Sequence, residues 1–155
     1  MVVPQSEAVI GVDMGLNRPA VTSDAQFLGE RRWKDIDRRY FRLKRSLQAK
    51  GTRSAKRHLR RLSGKVHRFR RDCDHVISRR IVDSVPVGSV IVIENLNHIR
   101  SRTKQRGRES RRRLHSWTFA QLRTFLEYKA EAKGCLVVGI DPRHTSQRCS
   151  KCEKR

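Results

Sequence analysis

The chain has 155 residues, 37 Lys+Arg against 15 Asp+Glu, and a formal net charge of +22. That length suits one domain burying roughly two-thirds of its unfolded surface, and that charge far exceeds what solubility needs, so a polyanion is the expected partner. No apolar run approaches the ~18 residues of a membrane span, the N-terminus lacks a basic-then-apolar leader, and four cysteines without such a leader argue against a disulfide framework, so the expectation is nucleic acid in the cytoplasm, not a membrane.

Residues 9–12, 20–23 and about 26–29 read as three short strands joined by Gly- and Asn-containing turns. Asp13 falls where the first strand should end, and Gly15 lets the backbone turn so that Ala20-Val21-Thr22 returns as a hairpin. A carboxylate at a strand tip is fixed by a rigid scaffold before any ligand arrives, which suits metal binding. A turn cap is the plainer role for a lone Asp-x-Gly.

Two helices come next. Ile36, Tyr40, Leu43 and Leu47 recur at helical spacing, Lys50-Gly51-Thr52 breaks the pattern, and Leu59, Leu62, Val66, Phe69, Cys73 and Val76 resume it. The two should pack antiparallel along these stripes. Residues 31–80 carry 20 basic and 4 acidic side chains, a net +16. Such a run is usually a solvated face, but this much like charge opposes compaction unless an anion binds. Arg53, Lys56, Arg57, Arg60, Arg61, Lys65 and Arg68 are therefore candidate phosphate contacts. Cys73 lies on the apolar stripe and reads as core.

After Pro86-Val87-Gly88, the β-branched run Val90-Ile91-Val92-Ile93 suits a strand buried on both faces, and Glu94 stands at its end. Residues 98–115 are Arg-, Ser- and Gly-rich, with residues 99–115 at net +7, and read as a basic loop or a plain linker. Ser116 is a plausible N-cap for a helix with Phe119, Leu122, Leu126 and Ala130 on its core face, closed by Gly134. Trp117 fits packing on the sheet better than base stacking. Leu136–Ile140 is a last buried strand, followed by Asp141-Pro142.

Strand, strand, strand, helices, strand, helix, strand is the order of a ribonuclease-H-like α/β fold, in which the first and fourth strands are neighbours. Asp13 and Glu94 would then lie close enough to share Mg²⁺ or Mn²⁺, hard cations that prefer oxygen ligands. Two such ions can activate water and steady the leaving oxygen in phosphodiester hydrolysis. Cys149-x-x-Cys152 is half of a tetrahedral zinc site, with His144 a third candidate ligand; a redox pair is the rival reading. Cys73 and Cys135 sit in apolar settings and look structural.

Gly11-Val12-Asp13-Met14-Gly15, Val92-Ile93-Glu94-Asn95-Leu96-Asn97, Leu126-Glu127-Tyr128-Lys129-Ala130 and the run Asp141 to Cys152 together resemble the RuvC-type nuclease region of TnpB. TnpB is the OrfB-type, transposon-encoded RNA-guided endonuclease related to type V CRISPR effectors. The resemblance implies a RuvC-type mixed sheet over residues 1–148, with a basic antiparallel helical hairpin inserted at 31–82, a basic loop at 98–115, and the first half of a zinc ribbon at 149–155. It implies DNA and a guide-type RNA as partners, with Asp13 and Glu94 as two of three catalytic acids. The third acid and the second C-x-x-C have no counterpart, and Asp141 matches a position that is not the catalytic acid. The expectation is a chain shortened at both ends and poorly active alone. The alternative is a non-catalytic nucleic-acid-binding protein derived from such a nuclease; an actin-like ATPase would need a second domain that 155 residues cannot hold.

Overall fold

The β-branched runs at residues 9–12 and 90–93 form neighbouring strands at the centre of one sheet. The computed structural model describes residues 8–15, 18–96, 107 and 119–141. Its elements are β1 (Val9–Asp13), β2 (Ala20–Thr22), β3 (Phe27–Leu28), α1 (Arg31–Lys50), α2 (Arg53–Ser84), β4 (Val90–Glu94), α3 (Phe119–Ala132) and β5 (Leu136–Ile140). The strand order is β3-β2-β1-β4-β5. β1 pairs antiparallel with β2 and parallel with β4, and β4 pairs parallel with β5. The predicted basic loop (Gly107 apart), Trp117, His144, Cys149 and Cys152 lie outside the described residues.

Strand alternation divides the sheet into two unlike faces. Ile10, Val12, Ile91 and Ile93 point to one side and are buried together with Ile77, Ile81 and Val82 of α2 and Leu122, Leu126 and Ala130 of α3. Each fully buried Ile or Leu in this layer is worth roughly 1.5–3 kcal/mol. The alternate positions, Val9, Gly11 and Asp13 on β1 and Val90, Val92 and Glu94 on β4, belong to the opposite face. This corrects two expectations: β4 is fully buried on one face only, and β5, expected to be buried, is an edge strand that leaves Leu136, Val138 and Ile140 exposed. A one-residue slip in register would drive both carboxylates into the core, so the hydrophobic pattern itself holds them outward.

The helices hold a second, smaller core. Leu47, Ala55 and Leu62 are buried against Tyr40, Leu59 and Val66, and Tyr40 meets the edge of the Phe69 ring at 5.9 Å. Gly51 ends α1 in the left-handed conformation, and Thr52 caps α2 by accepting from the Ala55 amide at 3.2 Å. The predicted stripes need correction at two places. Leu43 and Val76 are exposed. On α1 the contacts fall at Trp33, Tyr40 and Leu47, seven residues apart, which leaves Leu43 at the stripe's edge. On α2 the buried stripe moves to Ile77, Ile81 and Val82 because the helix changes partner along its length, from α1 to α3 and the sheet.

Two lysines, Lys129 of α3 and Lys133 just past its end, fasten that junction. Lys133 donates to the carbonyls of Val82 (2.7 Å) and Val85 (2.6 Å) at the end of α2, and more weakly to Asp83 (3.3 Å). Lys129 donates to His75 O (2.8 Å) and Ser78 Oγ (2.7 Å). The final turn of α2 holds no basic residue of its own, so the cation that compensates its carbonyls is Lys133, the residue that follows α3.

Candidate metal centre and nucleic-acid surface

Parallel pairing of β1 with β4 sets Val12 opposite Ile93. The next step along both strands sets Asp13 beside Glu94, on the sheet face that the helices do not cover. Burial, and then the Asp13 carboxylate beside it, push the Glu94 carboxyl above its ordinary range. A carboxyl raised in this way beside a second carboxylate gains from a cation between the two, and an all-oxygen donor pair matches Mg²⁺ or Mn²⁺. The structure thus brings the two sequence-predicted acids together. Among the described residues no cluster of three or more His, Cys, Asp or Glu side chains forms a candidate metal site. Asp141 follows Ile140, which pairs with Glu94, so it stands one step beyond the acid pair at the tip of β5.

The acids belong to a longer cross-strand row. Val21 pairs with both Asp13 and Phe27, and Glu94 pairs with Ile140. Phe27, Val21, Asp13, Glu94 and Ile140 therefore stand side by side on one face. Phe27 is 61 % exposed, and the Arg18 guanidinium lies over its ring at 4.8 Å from the centroid. Sequence reading placed a strand near Phe27 without marking the residue. Its signal is the β2–β3 register, which a two-residue strand does not reveal by periodicity.

Strand directions fix where the helices sit relative to the acids. β3 runs parallel to β1, so α1 begins at the end of the sheet that carries Asp13 and Glu94. Near its start, Asp37 is paired with Arg70 of α2 at 2.6 Å. The stretch of α2 before Phe69 therefore projects past the acid end, together with α1, as an arm about 25 Å long at 1.5 Å per residue. Arg53, Lys56, Arg57, Arg60, Arg61, Lys65 and Arg68 are all exposed on this arm. The predicted phosphate contacts and the predicted acids thus lie at the same end of the molecule.

With this geometry in place, comparison with known proteins is decisive. The OrfB_IS605 family, described as probable transposase, matches residues 2–100, well over half of the chain. The chain belongs to this family. A second domain family, Cas12f1-like, TNB domain, matches residues 119–155. The OrfB_IS605 chain is 38% identical over 96 residues to a CRISPR-associated endodeoxyribonuclease Cas12f1 of Sulfoacidibacillus thermotolerans, covering 61% of the chain and 21% of that protein. It is 33% identical over 95 residues to a TnpB-like protein of Methanocaldococcus jannaschii, covering 61% of the chain and 34% of that protein. The chain spans only about a fifth to a third of these curated relatives. In fold, it matches a Cas12f1–sgRNA–target DNA complex with a TM-score of 0.71 at 22% identity, covering 99% of this chain and 41% of that one. A CRISPR–Cas12f ternary complex matches with a TM-score of 0.69 at 23% identity, covering 33% of its chain. The TnpB/Cas12f-like nuclease membership that the motifs implied is therefore shown. No helix among the described residues is long and apolar enough to cross a membrane.

Proposed function

We propose that this chain is the RuvC-type, ribonuclease-H-like nuclease region of a TnpB-type RNA-guided DNA endonuclease, acting on nucleic acid at Asp13 and Glu94. The observation that carries this reading is the juxtaposition of the two acids on adjacent parallel strand tips, at the end of the sheet from which the cationic arm projects. Asp13 and Glu94 would hold a Mg²⁺ or Mn²⁺ ion, which when bound supplies Lewis-acid activation for phosphodiester hydrolysis. The chain's own part is to orient both carboxylates outward from the sheet and to neutralise phosphates along the arm. Arginine and lysine contacts of this kind position a nucleic acid without reading its sequence. The names of the similar complexes favour RNA and DNA together as partners, and Cys149 and Cys152, two residues apart, favour a zinc site shared with further ligands.

A non-catalytic nucleic-acid-binding role is the second reading. It is favoured by the absence of a cluster of three or more candidate ligands among the described residues, since two carboxylates suffice for one ion and not for two. The two readings separate in one set of measurements. Calorimetric titration with Mn²⁺ is expected to show one site that Asp13→Asn weakens at least tenfold, and equal binding by both proteins would sink the metal reading. DNA binding should fall steeply with salt, with a log–log slope near −6 if all seven arm cations engage phosphates, at about −0.9 each. Metal-dependent nicking by these 155 residues is expected to be feeble, and any that persists in Asp13→Ala refutes the assignment. Total metal analysis after mild chelation tests zinc, and Cys149→Ser should abolish whatever is retained.

A further inference from the structure

We infer that Phe27, with Arg18, forms a base-stacking site that holds one unpaired nucleobase beside the acid pair. This rests on the nucleic-acid reading above but adds a ligand class and two residues to it. Five observations converge. Phe27 is a large apolar side chain left 61 % exposed. It lies in the same cross-strand row as Asp13 and Glu94 and on the same face, through the Val21 pairings. One side of its ring is covered by the Arg18 guanidinium at 4.8 Å, and the exposed remainder is open to a second flat partner. Arg18 pairs with no carboxylate among the described residues, so its charge is available to a phosphate. The projecting arm shows the opposite chemistry: Tyr40 and Phe69 are turned onto each other, and no Phe, Tyr or Trp side chain on it is exposed among the described residues.

Single-stranded nucleic acid is held by aromatic rings that stack on bases, with cations tracking the backbone, whereas a paired duplex offers proteins its phosphates and groove edges. The arm offers phosphates seven exposed cations and offers bases no exposed Phe, Tyr or Trp ring. Phe27 with Arg18 offers both an aromatic ring and a cation, so the strand that reaches the acids arrives there with at least one base unpaired. The spacing gives the offset. Phe27 is two strands from Asp13, about 10 Å at 4.8 Å per strand. A stacked strand at 3.4 Å per nucleotide covers that span in about three nucleotides. The base held on Phe27 is therefore about three nucleotides away from the phosphodiester opposite the acids.

The test uses the whole 155-residue chain without metal and a single-stranded DNA 12-mer carrying one 2-aminopurine, whose fluorescence is quenched by stacking. Wild type is expected to quench the probe. Phe27→Tyr should keep the quench, and Phe27→Ala and Phe27→Leu should lose it and weaken binding by about 5- to 150-fold, the range that one base–aromatic stack supports. Arg18→Ala should weaken binding while leaving part of the quench. In a duplex with the 2-aminopurine paired, Phe27→Ala should change nothing. Equal quenching by wild type and Phe27→Leu, with both variants folded by circular dichroism, overturns the inference. If binding stays steeply salt-dependent in that case, only the stacking site has failed. If no oligonucleotide binds at low salt, the nucleic-acid reading has failed with it.

Discussion

Lys133→Met is the substitution that most directly probes how the arm and the acid-bearing strand are joined. The lysine reaches from just past the end of α3 to the carbonyls that close α2, with accepting partners at 2.7 Å on Val82 and 2.6 Å on Val85. These are charge-assisted bonds to groups that α2 itself cannot satisfy, each worth about 1.5–3 kcal/mol when donor or acceptor is charged. Methionine keeps the packing of the stem and removes the donors. Water reaches this end of the helix, because Asp83 and Ser84 are exposed, and recovers part of the loss. The expected net cost is about 2–3 kcal/mol, which for a chain of this size lowers the melting temperature by roughly 4–12 °C. Urea denaturation and differential scanning calorimetry measure it directly. Lys56→Met, on the exposed arm, is the control and should stay within about 0.5 kcal/mol of wild type. A Lys133→Met protein as stable as that control would show that the α2 carbonyls gain nothing from the lysine, and the account of the junction would be wrong.

Asp13→Asn should let the Glu94 carboxyl titrate at lower pH by removing the like charge beside it, although burial still holds it up; an unchanged midpoint by carboxyl-detected NMR would refute the adjacency. Burial, with Asp74, Asp72 and Glu30 nearby, pushes the Cys73 thiol up to about 12. The native state therefore keeps this proton where the unfolded state loses it, and stability should fall between about pH 9 and 12. Cys73→Ala should remove that part of the alkaline loss in urea titrations, and in wild type the thiol should resist alkylation until the chain unfolds. Gly29→Ala should cost at least ~2 kcal/mol, because Gly29 has φ +101° and a Cβ there would stand 2.6 Å from the Pro19 ring. Gly51→Ala, at φ +64° with open space around it, should cost only about 1 kcal/mol by thermal melting.

Much of this architecture is legible in the chain. The β-branched runs ending in Asp13 and Glu94 announce strands with acids at their tips, though only alternate residues are fully buried, and the order of elements places those strands together. What the residues do not announce is set by partners distant in sequence. Ile77, Ile81 and Val82 are the buried apolar residues in the second half of α2, yet the stripe from Leu59 to Cys73 points forward to Val76, because that half of the helix answers to α3 instead of α1. Nothing in the sequence marks Lys129 or Lys133, and only the folded junction shows their ammonium groups on α2 and the residue after it. The one hint available beforehand is the absence of any basic residue in the last turn of α2. The facing of Phe27 is equally silent, since two residues of strand carry no period.

That α2 is a single unbroken rod shared by two cores has a consequence for how the family's members can differ in size. Its lower part is clamped to the sheet, so the arm inherits its azimuth from a helix with 3.6 residues per turn. Deleting one residue near Gly64 would swing every cation beyond it by about 100° around the axis, while deleting seven would shorten the arm by about 10 Å and leave its bearing nearly unchanged. The same deletion must be matched on α1 to keep Tyr40 and Leu47 in step with Phe69 and Leu62. Arm length in relatives should therefore come in paired increments of about seven residues on the two helices. A variant shortened by three or four on one helix alone should fold at the sheet and lose its grip on nucleic acid.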